Sequence, residues 1–123
     1  MAQTILVVDD DHDMVYIITE FLKKNGYQVL NASDGKQALE MIKTAAPDLI
    51  IADLTMPKMG GWYFTQKVRE DKRYVNIPII VLSGLLENDS EPETFEAASA
   101  YMGKPFDIFK LLEKIQLLLR KTT

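Results

Sequence analysis

Four apolar residues in a row, Leu49-Ile50-Ile51-Ala52, stand between Pro47 and Pro57 and end on a carboxylate, Asp53. A run this short suits one strand, and a strand with no polar position is buried on both faces. Ile77–Ser83 holds a second run of the same kind, with Pro78 at its start because proline has no N–H to give a ladder. Strands buried on both faces belong to parallel sheets with helices on either side. Successive parallel strands also need long crossover connections, usually helical.

The rest of the chain supplies those connections. Thr4–Val8 is apolar and β-branched and reads as a first strand. His12–Asn25 carries Met14, Ile17, Ile18, Phe21 and Leu22 at helical spacing and stops at Gly26. Gln28–Asn31 reads as a short second strand. Asp34–Ala45 places Ala38, Leu39 and Ile42 on one helix face, with Ser33 or Asp34 as N-cap. The central strand, Asp48–Asp53, follows. Trp62–Lys72 forms a third helix around Phe64 and Val68. After Ile77–Ser83, the polar stretch broken by Pro92 predicts a loop and a short fourth helix near Glu93–Ala98. Tyr101–Met102 reads as a fifth strand, and Phe106–Lys121 as a last helix with Ile108, Leu111, Leu112, Ile115, Leu118 and Leu119 periodic.

Strand and helix alternating in this way predict a doubly wound α/β fold, a three-layer (βα)5 sandwich. In an open parallel sheet, ligands bind beyond the carboxyl ends of the strands, at the switch point of the strand order. With the order 2-1-3-4-5, the ends of strands one, three and four lie side by side. They carry Asp9 and Asp10, then Asp53, then Ser83, while Lys104 follows the fifth strand. Taken alone, Asp53 is also compatible with a turn or a helix cap.

Carboxylates converging in one crevice repel one another unless a cation binds them. Oxygen donors suit a hard cation such as Mg²⁺, which takes one or two carboxylates and completes its shell with water and phosphate. A carboxylate can also act as a nucleophile toward phosphorus. A hydroxyl (Ser83) and an ammonium (Lys104) are suited to the charge that spreads over phosphoryl oxygens during transfer.

From Ile5 to about Leu119 the sequence resembles the response-regulator receiver domains of two-component signalling, whose fold is flavodoxin-like. Val8-Asp9-Asp10 resembles the family's acidic pair, DLTMPKMGG from Asp53 its phospho-acceptor segment, Ser83 its hydroxyl residue, Tyr101 its aromatic switch residue, and Lys104-Pro105-Phe106 its Lys-Pro-Phe. The resemblance implies that Asp53 accepts the phosphoryl group. It also implies that Asp10 ligates Mg²⁺ (or Mn²⁺) directly, Asp9 through water and Thr55 through its backbone carbonyl, and that the Lys104–Pro105 bond is cis. The donor would be a sensor histidine kinase or a histidine phosphotransfer protein. Phosphorylation would draw Ser83 inward and let Tyr101 turn, changing the surface of the fourth helix, fifth strand and fifth helix. The output would be a downstream protein target or a fused effector domain. On this reading the chain is a signalling switch, with self-phosphorylation and autodephosphorylation its only catalysis. It departs from the family at Gly60, where an Asp is usual, and near Ala97, where a Gly is usual.

Composition narrows the field further. The chain has 123 residues, 47% hydrophobic and 26% charged, which suits one domain, residues 1–123, without an effector domain. No cysteine is present, so disulfides and thiolate metal sites are excluded. Fourteen basic against 18 acidic residues, a net charge of −4, give no basic patch for direct nucleic-acid binding. No signal peptide or membrane-length apolar run is visible, and the expected location is the cytoplasm. Asp11 and Asp13 read as a solvated helix start, His12 as a solvent-facing first-turn residue, and Trp62 as packing over the third helix. Leu85, Leu86 and the Leu117-Leu118-Leu119 run leave an interface open, with a monomer or a weak phosphorylation-dependent dimer expected. A haloacid-dehalogenase phosphatase would want an acid at Thr55. A flavin site would not place three acids after the first strand. A receiver-like module that binds without phosphorylation would typically lack one of Asp9, Asp10, Asp53, Ser83 or Lys104.

Overall fold

A computed structural model describes residues 2–53, 61–83, 99–103 and 107–121, with the backbone alone at Gly61, Trp62, Ser83 and Lys121. Within these residues the order is β1 (Thr4–Val8), α1 (His12–Lys24), β2 (Gln28–Ala32), α2 (Gly35–Ala45), β3 (Leu49–Asp53), α3 (Gly61–Glu70), β4 (Ile79–Ser83), β5 (Ala100–Gly103) and α4 (Ile108–Lys121). The strands form one sheet in the order β2-β1-β3-β4-β5, every neighbouring pair parallel. Fold class and strand order are as the sequence predicts. The expected helix near Glu93–Ala98, Thr55, Leu85 and Lys104-Pro105-Phe106 lie outside the described residues, as do Gly60 and Ala97.

The period of two along each strand divides the core cleanly. Ile5 and Val7 of β1, Leu49 and Ile51 of β3, and Ile80 and Leu82 of β4 pack with Val15, Ile18 and Leu22 of α1 and Leu111, Ile115 and Leu119 of α4. The residues between them, Leu6, Val8, Ile50, Ala52, Ile79 and Val81, pack on the other face with Ala38 and Ile42 of α2 and Phe64 and Val68 of α3. That is why the middle strands carry no polar residue until they end.

Side chains close the helix termini. Asp11 caps α1, accepting from the N–H groups of Asp13 at 3.1 Å and Met14 at 3.2 Å. Asp34, not Ser33, caps α2 by accepting from Gln37 N–H at 2.8 Å, and Gln37 Oε1 reaches back to Ser33 N–H at 2.8 Å. Gly26, at φ +92°, ends α1 in a conformation few other residues adopt, while Tyr27 N–H closes on the Leu22 carbonyl at 3.1 Å. Ala46 does the same duty after α2 at φ 37°, without glycine's freedom.

Several boundaries differ from expectation. Ile17 is 54% exposed, and Val15 takes the buried place assigned to it. The α3 helix stops at Glu70 rather than Lys72, and β4 starts at Ile79 rather than Ile77. Tyr74 N–H to the Asp71 carbonyl and Ile77 N–H to the Tyr74 carbonyl form turns that use this stretch instead.

One bracket in this region has no counterpart among the sequence-based expectations. Arg69, in the last turn of α3, donates from Nη1 to the carbonyls of Tyr74 (3.3 Å), Val75 (3.1 Å) and Ile77 (2.6 Å), and from Nη2 to Ser99 Oγ at 3.4 Å. Partial burial pushes its pKa below the usual arginine value. A guanidinium fork out of water needs such a set of acceptors.

Candidate active site at the carboxyl edge of the sheet

The sheet's register brings the acids together. Val8 stands opposite Ala52, so Asp9, one residue beyond β1, stands beside Asp53, the last residue of β3. Asp9 N–H continues the ladder by donating to the Ala32 carbonyl at 3.1 Å. Both positions continue the odd-numbered set that faces α1 and α4, which places the two carboxylates on one side of the sheet. Asp9 is 2% exposed and Asp53 5%, while Asp10, beginning the loop to α1, is open to solvent. Asp9 Oδ1 accepts from Asp11 N–H at 3.0 Å, so the turn into α1 holds the buried carboxylate in place.

One carboxylate oxygen from each of Asp9, Asp10 and Asp53 lies within 4.8 Å of the other two. At that spacing the two buried carboxylates, Asp9 and Asp53, repel by about 3.5 kcal/mol in an effective dielectric of about 20, and the pairs with exposed Asp10 by less. Such a cluster is suited to a cation, and an all-oxygen donor set with part of its rim open to water fits Mg²⁺ or Mn²⁺ better than a softer ion.

Among the other predicted site residues, Ser83 ends its strand at the same edge. Asp53 pairs with Leu82, so Ser83 is one residue further along the neighbouring strand, and Ser83 in turn pairs with Gly103. Lys104 and Thr55 follow Gly103 and Leu54 in the chain, outside the described residues. Tyr101 is half-buried in β5 opposite Val81 and packs against the cluster on the α2–α3 face. A ring placed at the margin of a core can change its packing without opening the core.

A polar recess of about 240 Å³ adjoins the acids, lined by Asp9, His12, Asn31, Ser33 and Gln37 with Val15 and Ala32. His12 is exposed, as expected, and borders this recess. Asn31, Ser33 and Gln37 come from β2 and the start of α2, which sequence spacing alone does not connect to Asp9. Part of that wall is fixed by Asn31 Oδ1, which accepts from the buried Thr19 hydroxyl of α1 at 3.0 Å.

Comparison with known proteins agrees with this architecture. The sequence matches the family model described as "Response regulator receiver domain" over residues 5–116. It is 34% identical over 119 residues, 96% of this chain and 49% of the relative, to the DNA-binding dual master transcriptional regulator RpaA of Synechocystis. The chain thus spans about half the length of that relative. A putative response regulator from Chloroflexus aurantiacus superposes with a TM-score of 0.91 at 30% identity, covering 98% of this chain and 99% of the other. The receiver domain of sensor histidine kinase PA1611 from Pseudomonas aeruginosa, solved with a magnesium ion coordinated in its active site cleft, gives 0.87 at 28% identity, covering 97% and 98%. The fold is the flavodoxin-like one these receivers share. With the family match running through nearly all of the sheet and its helices, this chain belongs to the response-regulator receiver domains of two-component signalling.

Proposed function

We propose that residues 1–123 form one phospho-accepting domain in which Asp53 takes a phosphoryl group from the phosphohistidine of a kinase or histidine phosphotransfer protein. One carboxylate oxygen of Asp53 attacks phosphorus as the bond from phosphorus to the donor's imidazole nitrogen breaks, and the imidazole takes up a proton from water. Asp9 and Asp10, with Asp53 and the Thr55 carbonyl, would hold Mg²⁺ or Mn²⁺, Asp9 acting through water. When bound, that ion offsets charge on the phosphoryl oxygens. The Lys104 ammonium and the Ser83 hydroxyl take the remaining oxygens, stabilising charge as the group transfers. Ser83 moving toward the new phosphoryl group lets Tyr101 repack, and the surface around β5 and its flanking helices changes. A protein target or a covalently attached effector reads that surface, and the reaction takes place in the cytoplasm.

The observation that carries this reading is the approach of the Asp9, Asp10 and Asp53 oxygens to within 4.8 Å at the carboxyl edge of the sheet. The magnesium-bound PA1611 receiver supports the same ion here. Beryllofluoride, a mimic of a bound phosphoryl group, tests it. Binding should require both Mg²⁺ and Asp53, and should be lost in Asp53→Ala. Binding that persists without the metal, or in that variant, would contradict the proposal.

A further inference from the structure

The β5 strand is four residues long, lies at the sheet's edge, and buries only Met102. Side-chain burial therefore constrains its register less than it does that of the fully buried strands, and a shift by two residues would keep each side chain on its own face. A slip of two residues displaces the strand by about 6.6 Å. Since Lys104 follows Gly103 directly, such a slip would shift the backbone entering the lysine by the same distance.

Ser99 supplies what burial does not. The Ile79 carbonyl accepts from Ser99 N–H at 2.7 Å, and Ile79 N–H donates to Ser99 Oγ at 3.1 Å. A parallel strand continuing backward would offer Ile79 N–H a backbone carbonyl at that place. Here a serine hydroxyl stands in for it, so both backbone groups of Ile79 close on one residue. The same Oγ accepts from Arg69 Nη2 at 3.4 Å, using its second lone pair. Arg69 is held in turn by the carbonyls of Tyr74, Val75 and Ile77. A two-residue slip would bring Ala97 or Tyr101 to Ile79. Alanine has no hydroxyl, and the tyrosine hydroxyl lies too far from its backbone to replace a carbonyl.

We propose that Ser99, oriented by Arg69, is a positioning residue that sets the register of β5 and thereby fixes where Lys104 and Tyr101 stand relative to Asp53. The inference rests on the phosphoryl-acceptor reading and names a residue at the opposite edge of the sheet as part of its machinery.

The test compares wild type with Ser99→Ala, Ser99→Thr and Arg69→Lys. Three quantities are measured on each: amide hydrogen exchange in β1, β3 and β5, the rate of phosphorylation by acetyl phosphate at saturating Mg²⁺, and Mg²⁺ affinity. Loss of one hydrogen bond predicts exchange in β5 about five- to tenfold faster in Ser99→Ala, with β1 and β3 unchanged. The phosphorylation rate falls by a similar factor while Mg²⁺ affinity holds. Ser99→Thr, which keeps the hydroxyl, restores both, and Arg69→Lys gives an intermediate loss. Unchanged β5 exchange and rate in Ser99→Ala would overturn the proposal. So would exchange that rises equally in all three strands, because that reports general destabilisation. A wild type that takes no phosphoryl group would instead sink the acceptor reading, and the β5 exchange contrast tells the two failures apart.

Discussion

Asp53 is buried beside another buried carboxylate, with a third within 4.8 Å, and like charges at that spacing repel one another. Replacing Asp53 by Asn keeps its size and removes one charge. Asp53→Asn should therefore unfold at higher denaturant concentration than wild type without metal, by about 1–3 kcal/mol after allowing for Asp10's exposure. Saturating Mg²⁺ should reverse the order, because the ion stabilises only what it binds. Urea titrations with and without Mg²⁺ measure both effects. Equal midpoints for the two proteins in the absence of metal would show that the acids do not repel as their spacing requires.

At the scale of elements, most of what positions the site is legible in the sequence, for a physical reason. Strands buried on both faces have no polar residue to spare, so Leu49–Ala52 and the run from Ile79 are visible without structural information, and the first polar residue after each marks the sheet edge. Ile17 was not legible: helical spacing alone does not separate a residue at the margin of the buried stripe from one within it, and Val15 is the one inside. The bracket of Arg69 and Ser99 was hidden as well. Its bonds run from a guanidinium to loop carbonyls and across 30 positions to a hydroxyl, and nothing in local patterning signals such a partner. The end of α2 shows the same limit. Pro47 announces that the helix stops, but Ala46 rather than a glycine adopts the left-handed turn. A side chain there costs about 1 kcal/mol. Ala46→Gly, exposed and remote from the acids, should raise the unfolding free energy by about 0.5–1 kcal/mol and leave Mg²⁺ binding unchanged. A lower thermal midpoint would contradict the role assigned to that turn.

Across the whole molecule, the two cores lead to different predicted site residues. The face covered by α1 and α4 continues, one residue past β1 and at the end of β3, into Asp9 and Asp53. The face covered by α2 and α3 ends at Tyr101. On the proposed mechanism, a charge added at Asp53 would meet one layer while Tyr101 packs on the other, with the sheet between them. No helix among the described residues is long and apolar enough to cross a membrane. Fold and acidic cluster were readable because both follow from strand order. The walls of the recess, Asn31, Ser33 and Gln37, were not, since they meet Asp9 only once β2 lies beside β1. Covalent chemistry at a single carboxylate, Asp53, is the core of the proposed function. The most direct measurement is intact-protein mass after incubation with acetyl phosphate or phosphoramidate, with and without Mg²⁺, on wild type and Asp53→Asn. One added phosphoryl group on wild type, dependent on Mg²⁺ and absent from Asp53→Asn, is the predicted result. An adduct that survives in Asp53→Asn, or a wild type that gains no mass while beryllofluoride shows its site to be competent, would contradict it.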